Sequence, residues 1–140
     1  MIWKIRPTPE LINGYATASL GHLLEIEITD IGDDYIQARM PVNEKTRQPY
    51  GILHGGASCV LAETIGSVAG NFCVDMQTQT VVGLEINANH LRPAKEGFVI
   101  GTATPIHLGK TTQVWDIKIT NEKKDLVCVS RLTLAVRNMV

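Results

Sequence analysis

The chain has 140 residues, 44% of them hydrophobic, with 13 basic and 14 acidic side chains and a formal net charge of −1. That length suits one core and one domain, spanning 1–140. The near-neutral charge argues against binding nucleic acid or a membrane surface, which draw on a basic excess, but leaves room for a small anionic ligand held by a few local cations.

The opening "MIWKIRPTPELI" has neither a long apolar run nor a small-residue cleavage site, so no signal peptide is expected there. No apolar run approaches the roughly 20 residues that span a bilayer, and a cytoplasmic chain is expected. The three cysteines, Cys59, Cys73 and Cys128, form no CxxC pair, so neither a disulfide framework nor a metal site is expected.

Residues 8–20 ("TPELINGYATASL") read as a short helix with Thr8 as N-cap. Residues 22–29 and 34–42 read as strands around the turn signal Gly32-Asp33-Asp34. In the second, Ile36, Ala38, Met40 and Val42 alternate with Tyr35, Gln37 and Arg39, the pattern of a half-buried strand. A long helix is predicted from about Gly56 to Phe72, apolar nearly all round. Four runs rich in β-branched and aromatic residues follow: "TVVGLEINANHL", "GFVIGTATPIHL", "TQVWDIKIT" and "LVCVSRLTLAV". Their separators, 92–96, 109–110 and 121–125, are short, which predicts antiparallel neighbours with no crossover helices. The fold class is then α+β, an antiparallel sheet with its one long helix laid on one face.

The chemistry concentrates in "QPYGILHGGASCVLAETIGSVAG", residues 48–70. Glu63 is the only charged side chain of the predicted helix, and no Lys or Arg lies three or four positions away to pair with it. Among so many apolar neighbours it is expected to be buried, where an ionised, unpaired carboxylate bears a large desolvation cost; the alternative is that it lies on the helix's one exposed stripe or pairs with an arginine of the sheet. Ser67 lies at i+4, on the same helix face. His54-Gly55-Gly56 marks the helix start, where the first N–H groups lack internal partners and the helix dipole favours negative charge. From residue 54 to residue 63 the helix rises roughly 13–14 Å. Glu63 therefore cannot reach an atom held at the first turn of its own helix. The two groups can act on one substrate only from different subunits, as in a two-fold dimer with two equal sites.

With these residues in place, the chain resembles the hotdog-fold acyl-CoA thioesterases nearly end to end. The likeness runs through "MPVNEKTRQPYGILHGGASCVLAETIGS", "VVGLEINANHLRP", "HLGK" and "CVSRLTLAV". Within that family it is most similar to the branch of the 1,4-dihydroxy-2-naphthoyl-CoA and enterobactin-proofreading thioesterases. The resemblance implies an antiparallel sheet wrapped around one central helix. It also implies hydrolysis of an aromatic or hydroxyaromatic acyl-CoA to free acid and CoA. By the same resemblance, the Gln48 amide and Gly55 N–H polarise the thioester carbonyl and His54 orients the thioester. Glu63 of the facing subunit acts as nucleophile or general base, with Ser67 positioning water or the carboxylate. CoA is expected against Gly83, against His90, Leu91, Arg92 and Pro93, and against His107, Leu108, Gly109, Lys110, Thr111 and Thr112. Arg92 and Lys110 are the residues matched to its phosphates. Tyr15, Tyr50 and Phe72 are candidates for lining the acyl pocket.

No cofactor is implied, CoA being part of the substrate. A homodimer is required for the site, and the family pairs dimers into tetramers. Three other readings stay open: a proofreading thioesterase acting on acyl- or aryl-carrier proteins, a hotdog hydratase or dehydratase, and a non-catalytic acyl-CoA binding module.

Overall fold

The computed structural model describes residues 1–15 and 17–140. Its elements are α1 (Pro9–Asn13), α2 (Leu20–Leu23), β1 (Glu27–Ile31), β2 (Ile36–Pro41), α3 (Gly55–Phe72), β3 (Gln79–His90), β4 (Phe98–Leu108), β5 (Thr112–Asn121) and β6 (Leu126–Asn138). Thr8 caps α1 as the sequence predicts, its Oγ1 accepting the Leu11 N–H at 3.2 Å. The single helix expected over 8–20 is corrected to two short ones; residue 16 of that span lies outside the described residues. The first ends at Asn13, and the second restarts because Ser19 is itself an N-cap, its Oγ accepting the His22 N–H at 3.2 Å. The strand expected from residue 22 consequently begins only at Glu27, after Glu25 turns the chain with a φ of 60°. Asn13 ties α1 to β1 through both ends of its amide. Its Nδ2 donates to Ile28 O at 2.9 Å, and its Oδ1 accepts from Ile28 N at 2.8 Å.

The six strands form one antiparallel sheet in the order β1-β2-β4-β5-β6-β3. The α+β class holds, and the short separators do join β4 to β5 and β5 to β6 as neighbours. The expectation fails for β3 and β4, which stand three strand spacings apart, about 14 Å. A short link is no obstacle, because the seven residues 91–97 reach about 23 Å when extended. The link is anchored on its way, with Leu91 N donating to Val127 O at 2.8 Å and Leu53 N to Ala94 O at 2.7 Å.

Helix α3 packs against β2, β3, β4, β5 and β6. A flat sheet of five strands would be about 19 Å wide and a helix is only about 10–12 Å across, so the sheet curls around it. Leu61, Ala62, Ile65 and Ala69 turn one stripe of the helix to the sheet and are fully buried, as are Met40, Val99, Trp115, Ile117, Leu132 and Leu134. Glycine permits the close approach. A Cβ on Gly66 would lie 2.6 Å from Leu132 Cδ2, and one on Gly70 2.5 Å from Leu134 Cδ1. Beside Gly70 the buried Gln113 is satisfied, its Nε2 donating to Gly70 O at 3.2 Å and its Oε1 accepting from Trp115 Nε1 at 2.9 Å. Among the described residues, no helix is long and apolar enough to cross a membrane.

Candidate active site

The approach to α3 is a tight loop. Gln48 N donates to Ile52 O at 2.8 Å and Gly51 N to Gln48 O at 3.0 Å, with Gly51 at a φ of 85° that favours glycine. The Gln48 side chain folds into this turn, its Oε1 accepting the Tyr50 N–H. With the oxygen so engaged, the Nε2 donors remain for another partner. His54 is the N-cap, and its Nδ1 accepts the Gly56 N–H at 2.8 Å, so the neutral ring carries its proton on Nε2. The Gly55 N–H, first of the helix, meets no acceptor among the described residues.

His90, at the end of β3, lies over this turn so closely that a Cβ on Gly55 would be 2.8 Å from its Nε2. Gln48, Gly55, His90, Leu91, Arg92 and Pro93 together line a cavity of about 450 Å³. Six of the residues singled out in the sequence are thus brought together. Ile52, Ser58 and Val127 line it too and were not singled out. Val127 arrives on β6 from far along the chain, and no local signal marks it.

Glu63 and Ser67 lie in a different place. They line a second cavity of about 380 Å³ with Leu20, Cys59, Val60 and Thr64, and share no lining residue with the first. The burial expected for Glu63 is corrected: its side chain is exposed, and it forms no ion pair among the described residues. The apolar residues around it in sequence point the other way, since the helical period sends 57, 61, 65 and 69 to the sheet and leaves 59, 60, 63, 64 and 67 on the open stripe. Cys59 and Thr64 are the neighbours the sequence reading missed; Cys59, at i−4, was readable from that period.

Gly83 belongs with this second group. A Cβ there would lie 3.3 Å from Glu63 Oε2. The β4–β5 hairpin carries the others: His107 and Leu108 end β4, Gly109, Lys110 and Thr111 form the turn, and Thr112 begins β5, with Gly109 N donating to Thr112 O at 2.9 Å. Thr112 pairs with Ala135 on β6, whereas His90 pairs with Cys128. Those positions are about 23 Å apart along the strand. Within one chain, Lys110 and Arg92 therefore stand at opposite ends of the sheet, and the expected CoA contacts are split into two sets.

A third cavity, about 380 Å³, lies under α1 and α2 and is lined in part by Tyr15, His22, Val68 and Phe72. Thr64 lines both this cavity and the one that holds Glu63, so the two adjoin. Of the aromatic candidates, Tyr50 is not among its lining residues and is 90% exposed. The thiols are poor nucleophiles. Burial pushes Cys73 up to about 12 and Cys128 up to about 11, and burial followed by the charge of Glu63 raises Cys59.

A curled sheet around one helix, a glycine-rich helix start bearing free donors and a carboxylate on the helix's open stripe are the marks of a hotdog thioester hydrolase. The model of the thioesterase superfamily matches residues 50–128, and the chain belongs to that superfamily. It is 54% identical to the 1,4-dihydroxy-2-naphthoyl-CoA hydrolase of Escherichia coli K12, over 97% of this chain and 99% of the relative. It is 47% identical to the proofreading thioesterase EntH of Cronobacter turicensis, over 97% of this chain and 98% of the relative. The crystal structure of a thioesterase from Haemophilus influenzae matches with a TM-score of 0.97 and 53% identity, covering 100% of this chain and 97% of that one. The chain is a thioesterase with the hotdog fold.

Proposed function

We propose that this thioesterase hydrolyses aromatic acyl-CoA to free acid and CoA, in a site completed by a second copy of the chain. The observation that carries the reading is the division of labour along α3. The cavity at its start offers hydrogen-bond donors, the cavity at its middle offers a carboxylate, and no residue is shared between them. In the assembled site the thioester oxygen accepts from the Gly55 N–H and the Gln48 Nε2 of one subunit, which stabilise the charge that develops there. His54, the N-cap whose Nδ1 holds the Gly56 N–H, helps to orient the thioester. Glu63 of the other subunit acts on the carbonyl carbon as nucleophile or as base on water, with Ser67 one turn on to hold the water or the carboxylate. Either route breaks the C–S bond, consumes one water and leaves the acid and the CoA thiol, with no cofactor taking part.

The second copy is supported by β3, which among the described residues pairs on one side only yet exposes Val82 and Leu84 by 46% and 57%. Two such edges paired antiparallel about a two-fold axis give a self-complementary interface. That arrangement lays the hairpin of one copy beside His90–Pro93 of the other and unites the two sets of CoA contacts, with Arg92 and Lys110 meeting the phosphates. Family habit then pairs dimers into a tetramer.

The aromatic acyl group is supported by the substrate named for the 54% identical relative and by the adjoining cavity with Phe72 and Tyr15 in its wall. A second reading, release of acyl groups from carrier proteins, is favoured by the 47% identity to a proofreading thioesterase. The test is thiol release from benzoyl-, naphthoyl-, phenylacetyl- and long-chain acyl-CoA. Fastest turnover is expected on the aryl thioesters; hydration of an enoyl-CoA with no thiol release would instead make the protein a hydratase.

A further inference from the structure

We propose that Ser58, one turn into α3, holds the CoA arm in the donor cavity, its buried hydroxyl accepting the N–H of the amide nearest the sulphur. The inference rests on the thioesterase reading, which lays the thioester carbonyl at Gly55 and the phosphates at Arg92. Both residues line one cavity of about 450 Å³, so the arm that joins the two groups runs through it, and Ser58 lines it as well.

Burial and the lack of a partner single Ser58 out. Among the polar side chains lining the cavity it alone is buried, at 1% exposed, whereas His90 and Arg92 are exposed and Gln48 is half-buried. Leu53, Ala94 and Val127, also buried, share the cavity floor with it. The Ser58 backbone N–H donates to His54 O at 3.3 Å, but its hydroxyl has no hydrogen bond among the described residues. Nor is that hydroxyl sealed in the core. The sealed, unpartnered side-chain oxygen is that of Ser130, and what Ser58 leaves open faces the cavity. A hydroxyl without a partner against apolar walls is costly, and alanine is the better helix former. The fold gains nothing from a serine at this position, which points to a ligand.

Distance decides which part of the ligand it meets. The helix rises about 4.5 Å from Gly55 to Ser58. A carbonyl oxygen bonded to the Gly55 N–H lies about 3 Å beyond the helix start. Even with its side chain leaning back toward that end, Ser58 is out of reach of this oxygen. It is therefore not a third donor to the developing charge. Along the arm, the first group able to hydrogen-bond is an amide N–H, two methylenes past the sulphur and roughly 5 Å from the carbonyl carbon when extended. One helical turn covers that separation. A bond so far from the reacting carbon forms equally in the ground and transition states, so Ser58 is a positioning residue that acts on KM.

The test pairs a variant with a matching change in the substrate. Thiol release is measured from naphthoyl-CoA and from an analogue in which an ester oxygen replaces the nitrogen of the amide nearest the sulphur. The parent is expected to show a KM about 5- to 10-fold lower for the amide, the worth of one hydrogen bond. Ser58→Ala should lose that preference through a raised KM for naphthoyl-CoA, and should melt no lower than the parent. The preference surviving in Ser58→Ala overturns the assignment, as does its absence from the parent or an equal rise in KM for both substrates. A loss confined to kcat would make the hydroxyl part of the chemistry, and a lower melting temperature would make it structural; either result also overturns the proposal. Hydrolysis of neither substrate by the parent overturns the thioesterase reading itself, which keeps the two failures apart.

Discussion

The two ends of the working stretch of α3 are opposites in chemistry and in how they are held. At Gly55 the functional groups are donors, and the surrounding loop aims them: Tyr50 occupies the Gln48 oxygen and Gly56 occupies His54 Nδ1. At Glu63 the group is an acceptor on the open stripe of the helix, exposed and with no ion pair among the described residues. Donors alone can polarise a carbonyl but cannot attack it, and a carboxylate alone lacks the oxyanion support that makes attack fast. The helix rise holds the two roughly 12 Å apart. One stretch of sequence thus builds two incomplete halves, and the contrast explains why a second copy is needed.

The largest effects should come from the halves themselves. Glu63→Gln keeps the shape and removes the base, and kcat on an aroyl-CoA should fall roughly 10³-fold with little change in melting temperature, since the side chain is exposed. Gln48→Ala removes one of the polarising donors and should lower kcat about 10²-fold. Steady-state thiol release measures both, and parent-like turnover in Glu63→Gln would remove the carboxylate from the mechanism.

The buried stripe of the same helix should behave the other way. In Gly70→Ala the new methyl would meet Leu134 Cδ1 at 2.5 Å and Gln113 Oε1 at 2.6 Å, both fixed in the core. Overpacking of this kind destabilises by about 1–3 kcal/mol, read from denaturant unfolding, while kcat per folded enzyme stays near the parent value.

The smallest effect concerns the thiols. The folded-state values of Cys73 and Cys128 are raised to about 12 and about 11, so the neutral form is favoured by folding. Their contribution to stability is fully present below the ordinary thiol range and is lost as the pH rises through about 9 toward those values. At pH 8 only about one Cys73 thiol in 10⁴ is ionised, so alkylation with iodoacetamide should be slow and should quicken about tenfold per pH unit. Rapid labelling of Cys73 at pH 8 would contradict its raised thiol value.

Much of this was legible in the residues. The helix start at His54-Gly55-Gly56, the alternation in β2 and the β-rich second half all followed from local periodicity and capping. So did the separation of Gly55 from Glu63, which needs only the rise of a helix. The burial of Glu63 was misjudged because apolar neighbours in sequence are not neighbours on a helix face. The break between α1 and α2 turned on a second N-cap at Ser19, a signal that was present but outweighed by the apparent run. The place of β3 at the far edge of the sheet could not be read, because a short link crosses a curled sheet as readily as it joins adjacent strands. The Gln48 amide gave no hint of its direction, which a single contact with the Tyr50 backbone sets.

The shared site is tested most directly by mixing subunits. Glu63→Gln and Gln48→Ala chains are co-expressed in equal amounts, and thiol release from naphthoyl-CoA is compared with that of each variant alone. Half of the dimers are then mixed, and each mixed dimer holds one site with both groups intact, so about a quarter of the parent activity should return. A mixture no more active than its separate components would place Gln48 and Glu63 in the same subunit's site and contradict the account.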